Sequence, residues 1–202
     1  MSKSLKFDKD LDPSRNCLNL YRAFNYHTED SFNSLSCQLK PGNNFLILHI
    51  NAHSLVKNYD ETCNLICRLH HKFSVIAITE TWTDKNSEEL MDIDGYNKLM
   101  KHRENKKGGG VALFIDSKLK FEHAVKLNQL GTDDFESIFA NVFLSSGNTV
   151  TVGAVYRPPG GSISQFNDSL DAVLSAVKCY SYFFTTLISS DAAVSYMTNE
   201  FL

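Results

Sequence analysis

Two short apolar runs frame the chain. Phe45 to Ile50 and Val75 to Thr79 are almost continuously apolar, the pattern of strands buried on both faces. Between them Leu55, Tyr59, Cys63, Ile66, Cys67 and Leu69 recur close to helical spacing, with Lys57, Asp60, Glu61 and Arg68 on the other side. That spacing predicts an amphipathic helix from about Asn58 to His70. Strand, helix and strand in this order make a βαβ-like unit, which sets the two strands side by side in one sheet. Further along, a short helical segment is expected around Ser87–Met91 and a strand over Val111–Ile115. Phe135 to Phe143 alternates as a strand does, Ser145-Ser146-Gly147-Asn148 turns the chain, and Thr149 to Tyr156 returns as a hairpin. Arg157-Pro158-Pro159-Gly160-Gly161 stops it. Phe166, Leu170, Val173, Leu174 and Val177 then mark a helix from about Ile163 to Lys178, and Tyr180 to Ile188 is strand-like in propensity. Met1 to Gly42 is polar without a sustained period, apart from a short helix expected near Leu18–Phe24. The pattern divides the chain into a poorly ordered leader (1–43), a folded unit (44–178) and a divergent tail (179–202).

Composition narrows this only in part. Apolar residues make up 43% of 202 residues, enough for a real core. No apolar run is long enough for a membrane span. The start, Met1-Ser2-Lys3-Ser4-Leu5-Lys6, is positive but is followed by no apolar region, so no signal peptide is expected. Five scattered cysteines point to reduced thiols and an intracellular setting. Cys63 and Cys67 lie one helical turn apart, but no second Cys/His pair supports a metal site, and core cysteines are the expectation. A net charge of −3 argues against a chain built wholly for polyanion binding, yet leaves room for a local basic patch.

The candidate chemistry sits at strand ends. The predicted strands deliver Asn51, Glu80, and Tyr156 with Arg157 at their C-terminal edges. Side by side, these strands would bring the groups to one rim of a sheet. A carboxylate there suits Mg²⁺ as a hard oxygen ligand, with the ion keeping several waters. Asn51 would then hold a phosphate oxygen or the attacking water, and Tyr156 would donate to the phosphate. The plainer alternative is that Glu80 is a solvated residue where strand meets loop. No Ser/His/Asp or Cys/His arrangement presents itself. The run Lys101-His102-Arg103-Glu104-Asn105-Lys106-Lys107 ends in Gly108-Gly109-Gly110. Such glycines let a backbone approach a phosphate closely, or simply form a solvated loop. Lys101, Arg103, Lys106, Lys107 and Arg157 are the candidate phosphate and DNA contacts.

Four segments in order carry a resemblance. They are His49-Ile50-Asn51-Ala52-His53-Ser54-Leu55, Ile78-Thr79-Glu80-Thr81-Trp82, Gly108-Gly109-Gly110-Val111-Ala112-Leu113-Phe114 and Val155-Tyr156-Arg157-Pro158-Pro159. Together they resemble the endonuclease/exonuclease/phosphatase superfamily, most nearly the apurinic-type endonuclease domain of non-LTR retrotransposons, over roughly Asn44 to Val177. The resemblance implies an α/β (α+β) fold of the deoxyribonuclease-I-like kind, a four-layer sandwich with two sheets face to face and helices outside. It implies Mg²⁺-dependent (or Mn²⁺-dependent) hydrolysis of a DNA phosphodiester, with DNA as partner and no membrane or small-molecule cofactor. It places Asn51 in the active site, makes Glu80 the metal ligand and sets Tyr156 against the scissile phosphate. His53 stands where family members often have arginine, and His49, His102 and His123 match no catalytic position. The family also carries an Asp-x-Asn pair after the helix ending near Val177, and a closing Ser-Asp-His. Tyr180 to Ile188 has neither acid nor amide, and Ser190-Asp191-Ala192 lacks the histidine. The expectation is the N-terminal half of an endonuclease domain of retrotransposon origin, inactive as it stands, or a non-catalytic remnant that binds nucleic acid or a protein weakly. Such a half would supply about one sheet, leave that sheet's inner apolar face open and aggregate.

Overall fold

The computed structural model describes residues 27–37, 45–103 and 108–177, and the backbone of strands 182–189 and 196–199. The helix expected near Leu18–Phe24, and Lys106, Lys107 and Asp191, lie outside the described residues. Among the described residues, nine strands form two sheets. The first runs β3 (Tyr96–Lys101), β4 (Val111–Asp116), β2 (Val75–Thr79), β1 (Phe45–Asn51) and β9 (Tyr196–Asn199). The second runs β5 (Lys120–His123), β6 (Glu136–Phe143), β7 (Thr149–Arg157) and β8 (Tyr182–Ser189). The βαβ unit is present as expected. Strands β1 and β2 pair in parallel from Ile47↔Val75 to Asn51↔Thr79, joined by α2 (Tyr59–Arg68). The hairpin β6–β7 is also present, in register from Glu136↔Tyr156 to Phe143↔Thr149.

Side-chain alternation along the strands explains the layering. On β1, Phe45 and Ile47 face inward and join Val75, Leu113, Ile138, Val152 and others between the two sheets. Leu46, Leu48 and Ile50 face outward, against Leu55, Leu69, Phe73 and Phe32 of α1 (Glu29–Ser36). On the far side Phe135, Phe139 and Val155 pack on Phe166, Val173 and Val177 of α5 (Ile163–Val177). Helix, sheet, sheet, helix is the four-layer sandwich that the resemblance implied. Two short helices complete it, α3 (Lys85–Glu88) and α4 (Val125–Asn128).

Two expectations are corrected. The inner face of the first sheet is not open, because β5 to β8 form a second sheet that covers it. The strand ends also do not share one rim: β1 and β2 belong to the first sheet and β7 to the second. They meet across the gap between sheets, since facing sheets bring their edges together as well as their faces. Strands β3 and β5 escaped the periodicity because both are edge strands rich in lysine and other polar residues, as exposed edges tend to be. The expectation of core cysteines holds only in part: Cys63 is half-buried against the outer layer, while Cys67 is exposed.

Candidate active site

The site begins where strand pairing continues into loops. Past β1, the Ala52 amide donates to the Thr79 carbonyl at 3.0 Å, Ser54 to Glu80 at 2.8 Å and Leu55 to Thr81 at 2.9 Å. The loop after β2 is tied in turn to the glycine loop before β4. Thr81 donates to the Gly110 carbonyl at 3.3 Å and Trp82 to Gly109 at 2.9 Å. The Asn58 amide anchors the same region, donating to Ala52 O at 2.9 Å and His53 O at 3.2 Å. His53, Ser54, Glu80 and Trp82 all have left-handed backbone, with φ of 43°, 86°, 56° and 53°. Such conformations cost of order 1 kcal/mol or more each for non-glycine residues, and persist where surrounding bonds over-determine them. Here the interloop bonds do so.

Glu80 lies at the centre of these loops, with 6% of its surface exposed. Asn51 Nδ2 donates to its Oε1 at 3.0 Å, and His53 Nδ1 lies 3.1 Å from its Oε2. The Asn51 Oδ1 accepts from the His53 backbone N–H at 3.1 Å, so the amide orientation is fixed from both ends. Burial pushes the Glu80 carboxyl up, but bonds from Asn51, His53 and Tyr156 outweigh it and hold the group below the ordinary carboxylate value. Tyr156 reaches this carboxylate from the second sheet. Its ring is buried, and burial together with the charges of Glu80 and Glu136 raises the phenol, which stays a protonated donor.

A second carboxylate was not foreseen. Glu136 opens β6, pairs with Tyr156 across the hairpin and is also 6% exposed. It forms an ion pair with the Arg103 guanidinium and accepts the Gly110 N–H at 2.6 Å. Burial raises its pKa despite the opposing effects of Gly110, Arg103 and Lys101. The glycines follow from this contact. A Cβ on Gly109 would stand 2.6 Å from the Glu136 carboxylate, and one on Gly110 would run into Thr81 Oγ1. Neither the phosphate reading nor the solvated-loop reading anticipated this: the glycine backbone is approached by the chain's own side chains. The sequence does carry one signal for Glu136, an acid at the head of a strand in which five of the other seven residues are apolar.

Glu80 borders a cleft of about 230 Å³, lined also by His53, Trp82, Arg103, Gly108, Gly109, Tyr156 and Pro159; Glu136 is linked to it through its ion partner Arg103. Asn51 stands behind Glu80, bonded to it. Of the basic candidates among the described residues, Arg103 lines the cleft. Arg157 turns back to donate to Gly161 O at 3.3 Å, and Lys101 extends toward Gly131. His49 is buried between the sheets, with Nε2 3.3 Å from Thr79 Oγ1 and Nδ1 without a partner; burial lowers its pKa to about 4, so it is neutral. His102 pairs with Glu88 at 3.2 Å, away from the cleft. Glu80 is the carboxylate whose partners are an amide, an exposed imidazole and a phenol, a set that a hard cation can share. Glu136 is already neutralised. Among the described residues no group of three His, Cys, Asp or Glu is placed to hold a metal. An ion at Glu80 would meet one carboxylate, and its own waters would have to complete its shell.

No family model matches the chain, and no curated protein does. Solved structures do. The endonuclease domain of TRAS1, a telomere-specific non-LTR retrotransposon, superposes with a TM-score of 0.50 at 12% identity, covering 70% of this chain and 57% of that one. A humanized D. rerio TDP2 superposes with a TM-score of 0.51 at 13% identity, covering 68% and 57%. The chain thus spans a little over half the length of these structures. The fold is shared with these structures, a DNase-I-like four-layer α/β sandwich.

Proposed function

We propose that this chain carries the phosphate- and metal-binding part of a Mg²⁺-dependent DNA endonuclease site of the retrotransposon kind, able to bind a phosphodiester but insufficient to hydrolyse it. The observation that carries the reading is the convergence of Asn51 and Tyr156 on Glu80 from two different sheets, at a cleft that Arg103 also lines. Glu80 would hold Mg²⁺ or Mn²⁺, which when bound supplies Lewis-acid polarisation of a phosphoryl oxygen. Asn51 fixes the Glu80 carboxylate in one orientation. Tyr156, kept protonated, donates a hydrogen bond to a phosphate oxygen entering the cleft. Arg103 offers its remaining N–H groups to the same phosphate, and Lys101, Lys106, Lys107 and Arg157 add positive charge for the flanking strand.

Hydrolysis also needs a group that orients the attacking water and one that stabilises the leaving oxygen at the same place. Glu136, the nearest other carboxylate described, is committed to Arg103, and His49 is sealed between the sheets. Groups acting as a unit fail together, so the expected activity is none rather than a fraction. The test is nicking of supercoiled plasmid in Mg²⁺ and Mn²⁺, beside Glu80→Ala, with DNA binding measured on the same samples. Binding without nicking is expected. Nicking that survives purification and disappears in Glu80→Ala would overturn the insufficiency. Absence of DNA binding would overturn the reading as a whole.

A further inference from the structure

We propose that Trp82 is a stacking platform for an unpaired nucleobase beside the phosphate at Glu80, so that the cleft takes a nucleic-acid strand with one base out of the duplex stack. This rests on the reading of the cleft as a phosphodiester site and adds what the substrate must look like there. Val75 to Thr81 are buried without exception, yet the next residue, the chain's only tryptophan, is 44% exposed. Folding gains by covering so large a ring, and here it is left uncovered on a left-handed backbone with φ of 53°. The backbone is nevertheless fixed, because the Trp82 amide donates to Gly109 O at 2.9 Å. One side of the indole meets the His53 ring at 5.1 Å, tilted by 58°. Toward the glycine loop the neighbour is Gly108, where even a Cβ would come within 3.6 Å of the indole nitrogen. That is ordinary contact distance, so Gly108 borders this side of the ring closely.

The cleft itself argues for a piece of a polymer. At about 230 Å³ it is smaller than pockets that enclose a whole small ligand, which run to roughly 300–1,000 Å³. Its charged groups, Glu80 and Arg103, meet its aromatic rim at Trp82 and His53. That layout matches one phosphodiester with its neighbouring base. Duplex DNA offers only base edges in its grooves, because base faces are stacked on each other. A face-on contact with an indole needs an unpaired or extruded base, as in single-strand recognition.

The single tryptophan makes the test specific, since all indole emission comes from this position. Three oligonucleotides are compared, with and without Mg²⁺: a paired duplex, the same duplex with one bulged base, and the same bulge with that base removed. Binding is read by fluorescence anisotropy of end-labelled DNA and stacking by tryptophan emission with unlabelled DNA. The bulged duplex should bind best and quench Trp82, while the abasic bulge binds on the order of tenfold more weakly without quenching. Trp82→Ala should lose on the order of tenfold for the bulged duplex and nothing for the abasic one, and Trp82→Phe should keep most of the preference. Equal binding of bulged and abasic DNA with unchanged emission overturns the stacking platform while leaving the phosphodiester reading standing. Failure of the wild-type protein to bind any of the three overturns both.

Discussion

Glu80 lines the cleft and Glu136 pairs with Arg103 beside it; the two acids are equally buried and differently partnered. Glu80 sits on strained loops of the first sheet, and its partners are an amide, an exposed imidazole and a phenol. Glu136 sits on a regular strand of the second sheet, and its partners are a guanidinium and a backbone N–H. The carboxyl of the first is held below its ordinary value and that of the second is pushed above it. On the proposed function, burial alone does not mark the acid that acts. What separates them is whether the partners can give way to a cation, and whether the backbone stores strain to present the group.

The largest effect that tests this contrast is on stability. Glu136→Ala leaves the Arg103 guanidinium without its buried partner and should cost about 3–5 kcal/mol. Glu80→Ala should cost about 1 kcal/mol or less, because His53 is exposed and Tyr156 lines the cleft, where water can replace the carboxylate. Urea unfolding of both variants measures the difference; equal losses would mean that Glu80 is as structural as Glu136. The glycine loop gives the next effect. Gly109→Ala and Gly110→Ala should each lose about 1–3 kcal/mol from overpacking against Glu136 or Thr81, added to the left-handed backbone cost. Gly147→Ala, where a Cβ would meet nothing within 4 Å, should show only the backbone cost of about 1–2 kcal/mol. Thermal denaturation of the three separates close approach from conformation.

A smaller effect concerns pH. A carboxyl whose native pKa is depressed contributes stability above its unfolded value and loses it as pH falls through the native value. For Glu80 that loss lies below pH 4.5. A carboxyl whose native pKa is raised behaves in reverse: its contribution is present below pH 4.5 and declines as pH rises through the native value, as for Glu136. Glu80→Gln should flatten the acid side of the melting-temperature profile, and Glu136→Gln the segment just above pH 4.5. Both substitutions flattening the same side would break the contrast.

The sequence made one of these acids legible and hid the other. Glu80 directly follows the strand Val75–Thr79, so position made it a candidate, as it did Asn51 and Tyr156, and the resemblance singled the three out. Strand β2 was legible to its bounds because all five of its residues are buried. Glu136 gains its meaning from a register with Tyr156 and from an arginine 33 positions away, and no local pattern holds either. The same limit applied to the sheets. Periodicity found the buried strands but could not say which sheet each joined, so the site was expected along one rim rather than across two. Edge strands β3 and β5 carry too few buried residues to show a period.

The bonds that run on from β1 and β2 into the following loops have a consequence for amide hydrogen exchange. Loops normally open locally and exchange early, and they accept insertions freely. Here the amides of Ala52, Ser54, Leu55, Thr81 and Trp82 point into neighbouring loop carbonyls. Those five should exchange with the slow core of the first sheet rather than with the surface. An inserted residue between Asn51 and Leu55 would slip each bond in turn, so this loop should tolerate length change no better than a central strand does.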